Sequence, residues 1–161
     1  MTDFLVPNEW NESSWNDLVS FLNGNNARRP KMAERTQSQE ELFDFIASTM
    51  DLSFSETLLR MIDRKNTTDV HVYKAARIDR RVFSRLRSSN DYQPSRKTAI
   101  CLCLALHLTP GETMMLLEKA GLCLSRSKKD DLVVLYCLQH QIYDLDAVNR
   151  ALIRLELEPL C

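Results

Sequence analysis

Residues 98–108 have the sequence TAICLCLALHL, and this stretch decides the fold. Every side chain between Thr98 and His107 is apolar, and alanine and leucine favour helix. A helix that is apolar all round must be covered on most of its sides. The run is about half of the roughly 20 residues that a membrane-spanning helix needs. We therefore predict a buried central helix in a soluble helical bundle, with no membrane segment.

The composition favours the same fold class. The chain has 161 residues, enough for one ordinary domain plus an extension, and only 3 glycines and 5 prolines. Scarce helix breakers and abundant leucine indicate an all-α fold rather than a β-sandwich or barrel. The 5 cysteines are odd in number and lie mostly in apolar helical contexts, which indicates reduced thiols in a cytoplasmic protein. Residues 1–8 have neither the basic start nor the apolar run of a secretory signal.

Charge is strongly segregated along the chain, although the net charge is only −1. Residues 1–56 carry 4 basic and 10 acidic side chains, whereas residues 57–97 carry 11 basic and 4 acidic side chains. Residues 98–161 carry 6 basic and 8 acidic side chains. A basic block of this size suits an anionic partner, most often nucleic acid or an acidic protein surface. Alternatively, these arginines solvate the outside of a bundle or pair with the acidic N-terminal segment.

Residues 1–50 form an acidic leader with one or two short helices. Residues 14–22 and 40–50 have apolar side chains at helical spacing, and the polar stretch between them, residues 24–39, resembles a linker. The apolar faces of the leader can dock on the bundle or bind another protein.

Residues 51–161 form the bundle, which we predict to contain about five helices plus two C-terminal ones. Its helix starts are marked by hydroxyl or carboxylate residues suited to capping. Two of them, at Ser53 and Thr109, have glutamate three residues later, as a capping box requires. Gly121 is placed to end a helix. The predicted caps are Ser53, Thr68, Asp79, Ser95, Thr109, Ser127 and Asp144.

The helix that follows Asp79 is basic on one face. At about 100° per residue, Val82, Phe83 and Leu86 face the core. The opposite face contains Arg81 and Ser84, and further arginines flank it.

Two short helices joined by a tight turn, followed by a leucine-rich helix, resemble the lambda-repressor-like helix-turn-helix domain of the Cro/C1 type. The resemblance covers about residues 54–120. The second helix would be TDVHVYKAA at residues 68–76, the turn RID at 77–79, and the third helix RRVFSRLR at 80–87. Residues 53–157 also resemble a helical cassette of bacterial proteins that is sometimes attached to macro-type or kinase-type signalling domains.

This resemblance implies a DNA-binding unit at about residues 68–89, whose third helix lies in the major groove. The chain has Arg77, Asp69 and Arg87 where the family usually has glycine, glutamine and glutamate. The residues implied to read bases or contact phosphate are Arg80, Arg81, Ser84, Arg85 and Arg87, with Lys74, Arg77, Arg96 and Lys97 as neighbouring phosphate contacts.

Other functional classes have weaker sequence support. Cys101 and Cys103 with His107 are candidate metal ligands, but residues two apart on a helix point about 200° apart, which favours core packing. The chain has no nucleophile elbow, phosphate-binding glycine loop, dinucleotide fingerprint or HExxH motif. We therefore predict no catalytic residue, no metal and no cofactor.

The sequence thus predicts a bacterial or phage DNA-binding regulator that acts on double-stranded DNA in the cytoplasm. The alternative is a non-enzymatic protein-interaction module that holds a protein partner in bacterial signalling or phage defence. The helices after Gly121 favour the alternative, because a minimal DNA-binding unit does not need them. These helices can equally build a homodimer, as two-fold operator readers require.

Overall fold

The computed structural model describes residue 16 and residues 37–161, and all regular structure in these residues is helical. The chain divides into two compact units, residues 1–51 and residues 52–161. Apart from residue 16, the helix predicted over residues 14–22 lies outside the described residues.

In the first unit, helix α1 spans Gln37–Thr49 and therefore starts before the predicted residue 40. Its Phe43 is buried, whereas Phe45 is exposed.

The second unit contains seven helices in the described residues. They are α2 (Phe54–Arg64), α3 (Asp69–Ala75), α4 (Arg80–Ser88), α5 (Arg96–Ala105), α6 (Pro110–Lys119), α7 (Lys129–Gln139) and α8 (Leu145–Arg154).

Helix α5 is the central helix that the sequence predicts. All six of its residues from Ala99 to Leu104 are buried, and buried Leu106 and Leu108 extend this surface beyond the helix end. Helix α5 contacts α3 and α6, and α2 contacts α4 and α6. Helix α7 contacts α6 and α8, so the two C-terminal helices extend the same bundle.

Six of the seven predicted caps are confirmed. The side chains of Ser53, Thr68, Asp79, Ser95, Thr109 and Asp144 each accept a backbone N–H of the first turn that follows, and both predicted capping boxes are complete. The predicted cap at Ser127 is wrong, because α7 starts at Lys129 and its N-cap, Lys128, makes no side-chain cap hydrogen bond. The Asp131 carboxylate instead accepts the Ser125 N–H at 2.7 Å and organises this loop.

Six helices of the second unit end in the same way. The residue after the C-cap adopts a left-handed conformation, and the N–H of the next residue bonds back to the carbonyl five residues earlier, as in a Schellman motif. The left-handed residues are Asn66, Arg77, His107, Gly121, Gln141 and Glu156. After α2, α3 and α5 the cap of the next helix follows within two residues, so these connections are short and turn the chain sharply.

Candidate nucleic-acid interface

The connection between α3 and α4 fixes the two helices of the proposed helix-turn-helix unit. Arg77 has φ 55° and therefore occupies the left-handed region that glycine favours. The Ile78 N–H donates to the Tyr73 carbonyl at 2.9 Å, and the Asp79 carboxylate accepts the Arg81 N–H at 2.7 Å. Arginine thus occupies the turn position at which the lambda-repressor-like domains that the sequence resembles usually have glycine.

Helix α4 is held by its apolar face. Phe83 and Leu86 are buried, and Val82 is half-buried. The ring of Phe83 lies 5.8 Å from the ring of Tyr73 at an angle of 48°, which ties α4 to α3. Because three side chains of one face are anchored, the remaining side chains of α4 point away from the core.

Four of the predicted site residues have carboxylate partners. Arg77 pairs with Asp146 at 2.6 Å, and Lys97 pairs with Glu158 at 2.5 Å. The Arg77 hydrogen bond lowers the pKa of Asp146. Two further ion pairs join Arg87 to Asp69 and Arg96 to Asp131.

Of these four, Arg96 has the most enclosed partner. Asp131 is only 2% exposed, and Arg96 also donates to the Cys123 carbonyl at 2.9 Å. Arg96 therefore links the start of α5 to the α6–α7 loop and to α7. The Asp69–Arg87 pair has a different consequence, because it places a cation beside the carboxylate of Asp69. Asp69 is the position at which the domains that the sequence resembles usually have glutamine.

The other predicted residues are exposed and have no carboxylate partner among residues 37–161. Arg80, Arg81, Ser84 and Arg85, which we call the α4 basic face, are all exposed, as is Lys74 on α3. Within the described part of the chain, none of the cations in this set forms an ion pair. At about 100° per residue the α4 basic face covers an arc of about 140° opposite Phe83 and Leu86.

The start of α4 also has a local charge balance. Cations in a first helical turn are disfavoured by the helix dipole, and α4 has Arg80 and Arg81 there. The Asp79 carboxylate at the N-cap places a negative charge at the same helix end and occupies the Arg81 N–H. Because this carboxylate already lies at the backbone N–H groups of the first turn, we expect the guanidinium groups of Arg80 and Arg81, and not the backbone, to bind an anion there.

Cys101 and Cys103, two of the candidate metal ligands, are buried in the core. Burial raises the pKa of the Cys103 thiol to about 12, which disfavours the thiolate that a metal needs. His107 is exposed and stacks on Tyr143 with ring centroids 4.5 Å apart. Among the described residues, no three His, Cys, Asp or Glu side chains are grouped so that they could hold a metal ion.

An apolar groove between α7 and α8 was not found from the sequence. Its volume is about 500 Å³, and its walls include Leu132 and Tyr136 of α7 and Ala147, Ala151 and Leu155 from α8 and its end. Leu132, Tyr136 and Leu155 are 43%, 57% and 57% exposed. Because α7 is apolar on nearly all sides, its sequence predicts burial and does not identify the side that remains open.

No family model, curated protein or solved structure matches this chain. None of the helices among residues 37–161 has the length and apolar character needed to cross a bilayer.

Proposed function

We propose that the protein is a DNA-binding regulator that places α4 in the major groove of double-stranded DNA. The observation that carries this proposal is the contrast among its cations: Arg80, Arg81 and Arg85 are exposed and unpaired, whereas Arg77, Arg87, Arg96 and Lys97 have carboxylate partners in the described chain. Unpaired guanidinium groups projecting from one helix face are available to phosphates and base edges.

The dimensions of α4 suit this role. An α-helix with its side chains is about 10–12 Å across, which fits the roughly 12 Å width of a major groove, and the 9 residues of α4 give a helix about 13 Å long. Arginine can donate two parallel hydrogen bonds to guanine, and serine can bond to several bases. Arg81, Ser84 and Arg85 therefore form the base-reading set of the proposal, and Arg80 and Lys74 contact the phosphates.

The remaining predicted contacts differ in their availability to DNA. The Arg77–Asp146 pair is about half exposed on both sides, and such pairs contribute little to stability, so Arg77 can exchange its carboxylate for a phosphate. Arg87 and Lys97 are similarly accessible. Arg96 is not, because its release would leave the buried Asp131 carboxylate without a cation.

Substitution of the α4 basic face tests this proposal. We expect Arg81→Ala and Arg85→Ala each to weaken binding to a specific site by about 1–3 kcal/mol, the value of one good base contact. Fluorescence anisotropy with labelled duplexes of mixed sequence, followed by enrichment of bound sequences, gives both affinity and specificity. Arg126→Ala is the matched control, because Arg126 is equally an exposed arginine but lies in the α6–α7 loop.

The proposal also states where the regulator acts and in which oligomeric state it binds DNA. The regulator acts in the cytoplasm of a bacterium, without catalysis, and as a homodimer it would present two α4 helices to two half-sites. Light scattering during size-exclusion chromatography measures the stoichiometry directly, and a monomer that stays monomeric on DNA would limit the protein to single half-sites.

A second candidate function is supported by the α7–α8 groove. We propose here a protein-interaction module that receives an amphipathic helix in this groove. Lys129 lines the groove, and the exposed Arg154 follows Ala151 by three residues on α8, so these two cations favour a helix with acidic flanks.

Two variants separate the candidate functions. Leu132→Asp changes the groove and leaves α4 intact. Arg81→Ala changes the α4 basic face and leaves the groove intact. A partner is first recovered by co-purification from a nuclease-treated bacterial lysate, and its acidic amphipathic helix is then made as a peptide. The interaction candidate requires the peptide to bind the wild type and the Arg81→Ala variant but not the Leu132→Asp variant. Equal peptide binding by all three proteins would exclude the groove.

A further inference from the structure

Residues 145–161, which comprise α8 and the segment after it, supply carboxylates to two cations of the predicted DNA contacts. The Arg77 guanidinium in the α3–α4 turn pairs with Asp146 at 2.6 Å. Lys97 in the first turn of α5 pairs with Glu158 at 2.5 Å. Both cations are phosphate contacts in the predicted set, so one part of the chain places a carboxylate at two positions where a DNA phosphate would bind.

Both carboxylates are held in place by local hydrogen bonds. Asp146 lies in the first turn of α8, and the N-cap Asp144 accepts its N–H at 3.3 Å. Asn149 of α8 is buried, and its Oδ1 accepts the Leu160 N–H at 2.8 Å. This bond fixes the segment that contains Glu158 to α8.

Both ion pairs are accessible to an incoming phosphate. The side chains of Arg77 and Asp146 are 46% and 53% exposed, and those of Lys97 and Glu158 are 44% and 80% exposed. Ion pairs with this exposure are weak, so a phosphate can replace the carboxylate. While a pair is intact, however, its cation is neutralised and does not displace a condensed counterion from DNA.

We propose that Asp146 and Glu158, which we call the competing carboxylates, compete with DNA phosphates for Arg77 and Lys97 and so weaken duplex binding. This inference rests on the proposed DNA-binding function and gives residues 145–161 a role in it. Phosphate contacts carry no sequence information, so the competition lowers the affinity for any duplex. The α4 basic face stays open to the bases, because its arginines form no ion pair within the described residues.

Removal of the competing carboxylates in the full chain tests this inference, with a labelled mixed-sequence duplex as the probe. Asp146→Asn and Glu158→Gln should each raise the affinity at low salt by about 3-fold, as expected for an exposed ion pair, and the double variant by about 10-fold. The fall of log affinity with log salt should become steeper by roughly 1 for each variant, because one more unpaired cation then displaces a counterion. Fluorescence anisotropy measures both quantities.

Two controls separate competition for a cation from general repulsion between a carboxylate and DNA. Glu156→Gln removes an exposed carboxylate of the same segment that forms no ion pair within the described residues, so the affinity should stay at the wild-type value. In an Arg77→Ala background, Asp146→Asn should give no gain, because the cation that it releases is absent. Arg77→Ala is expected to fold, since Arg77 is exposed.

The outcomes distinguish this inference from the proposed function. If the wild type binds the duplex but either single variant shows no gain, the competition is excluded and DNA binding stands. The competition is also excluded if Glu156→Gln gives an equal gain, or if the gain of Asp146→Asn persists without Arg77. If neither the wild type nor the double variant binds, the proposed function fails and this inference fails with it.

Discussion

Five residues other than glycine adopt the left-handed backbone conformation at helix ends in the described chain. Side chains with a β-carbon are disfavoured there by roughly 1 kcal/mol, and only Gly121 avoids this cost. The residue after each of them donates its N–H to a carbonyl of the preceding helix. These hydrogen bonds maintain the helix ends although the left-handed conformation is unfavourable for side chains with a β-carbon. A local improvement in stability is therefore available at several positions.

Replacement of Gln141 by glycine should stabilise the protein. Gln141 has φ 56° and is exposed, so the variant relieves the strained conformation without the loss of a buried contact. We expect the free energy of unfolding to rise by about 0.5–1 kcal/mol, measured by urea denaturation. The control is Glu118→Gly inside α6, which should lower it by about 1 kcal/mol. Destabilisation by Gln141→Gly would show that the left-handed residue is not strained.

Arg96 is expected to support the fold rather than to contact DNA. Arg96→Met removes the cation from the buried Asp131 carboxylate and should cost about 3–5 kcal/mol in the free energy of unfolding. The neighbouring Lys97→Met is the matched control, because its pair with Glu158 is exposed and should contribute less than about 1 kcal/mol. Urea denaturation of both variants checks this, and equal effects would contradict the assignment.

The capping box of α6 predicts a pH dependence. The Thr109 N–H, followed by the charges of Lys65 and Arg64, lowers the pKa of Glu112 below its ordinary value of 4.5. A carboxylate with a depressed folded-state pKa contributes stability that is present above its unfolded pKa and is lost as the pH falls through the folded value. Glu112→Gln should therefore weaken the fall in unfolding free energy below pH 4.5. Denaturation midpoints at several pH values measure it, with Glu118→Gln as the control; an unchanged profile for Glu112→Gln would contradict the prediction.

At the scale of elements, the helix starts were predictable and the ion pairs were not. A cap depends on hydrogen bonds within one turn, so Ser53, Asp79 and Thr109 could be recognised from their neighbours in the sequence. The α7 start was mispredicted because the Asp131 carboxylate, not the Ser127 hydroxyl, organises the preceding loop.

In the candidate site, too, some features could be predicted from the sequence and others required the folded structure. That Phe83 and Leu86 face inward and Arg81 and Ser84 face outward follows from helical periodicity. The partners of Arg77 and Lys97 lie 69 and 61 residues away along the chain, so only the folded structure could separate the paired cations from the α4 basic face. The groove between α7 and α8 is also a product of tertiary packing.

For the molecule as a whole, the structure shows where the basic side chains of the segregated sequence lie. The basic block of residues 57–97 contributes both the ion pairs of the bundle and the exposed α4 basic face, whose arginines form no ion pair within the described residues. Binding by this face should be sensitive to salt, since each cation that replaces a condensed counterion on DNA adds to the salt dependence.

The salt dependence of duplex binding tests the central claim most directly. We predict that log affinity falls linearly with log salt concentration, and that the double variant Arg81→Ala/Arg85→Ala reduces the slope by roughly 2. Arg126→Ala/Lys128→Ala removes two exposed cations outside α4 and should keep the wild-type slope. No binding of the wild type at low salt, or a slope that the α4 double variant leaves unchanged, would contradict DNA recognition by α4.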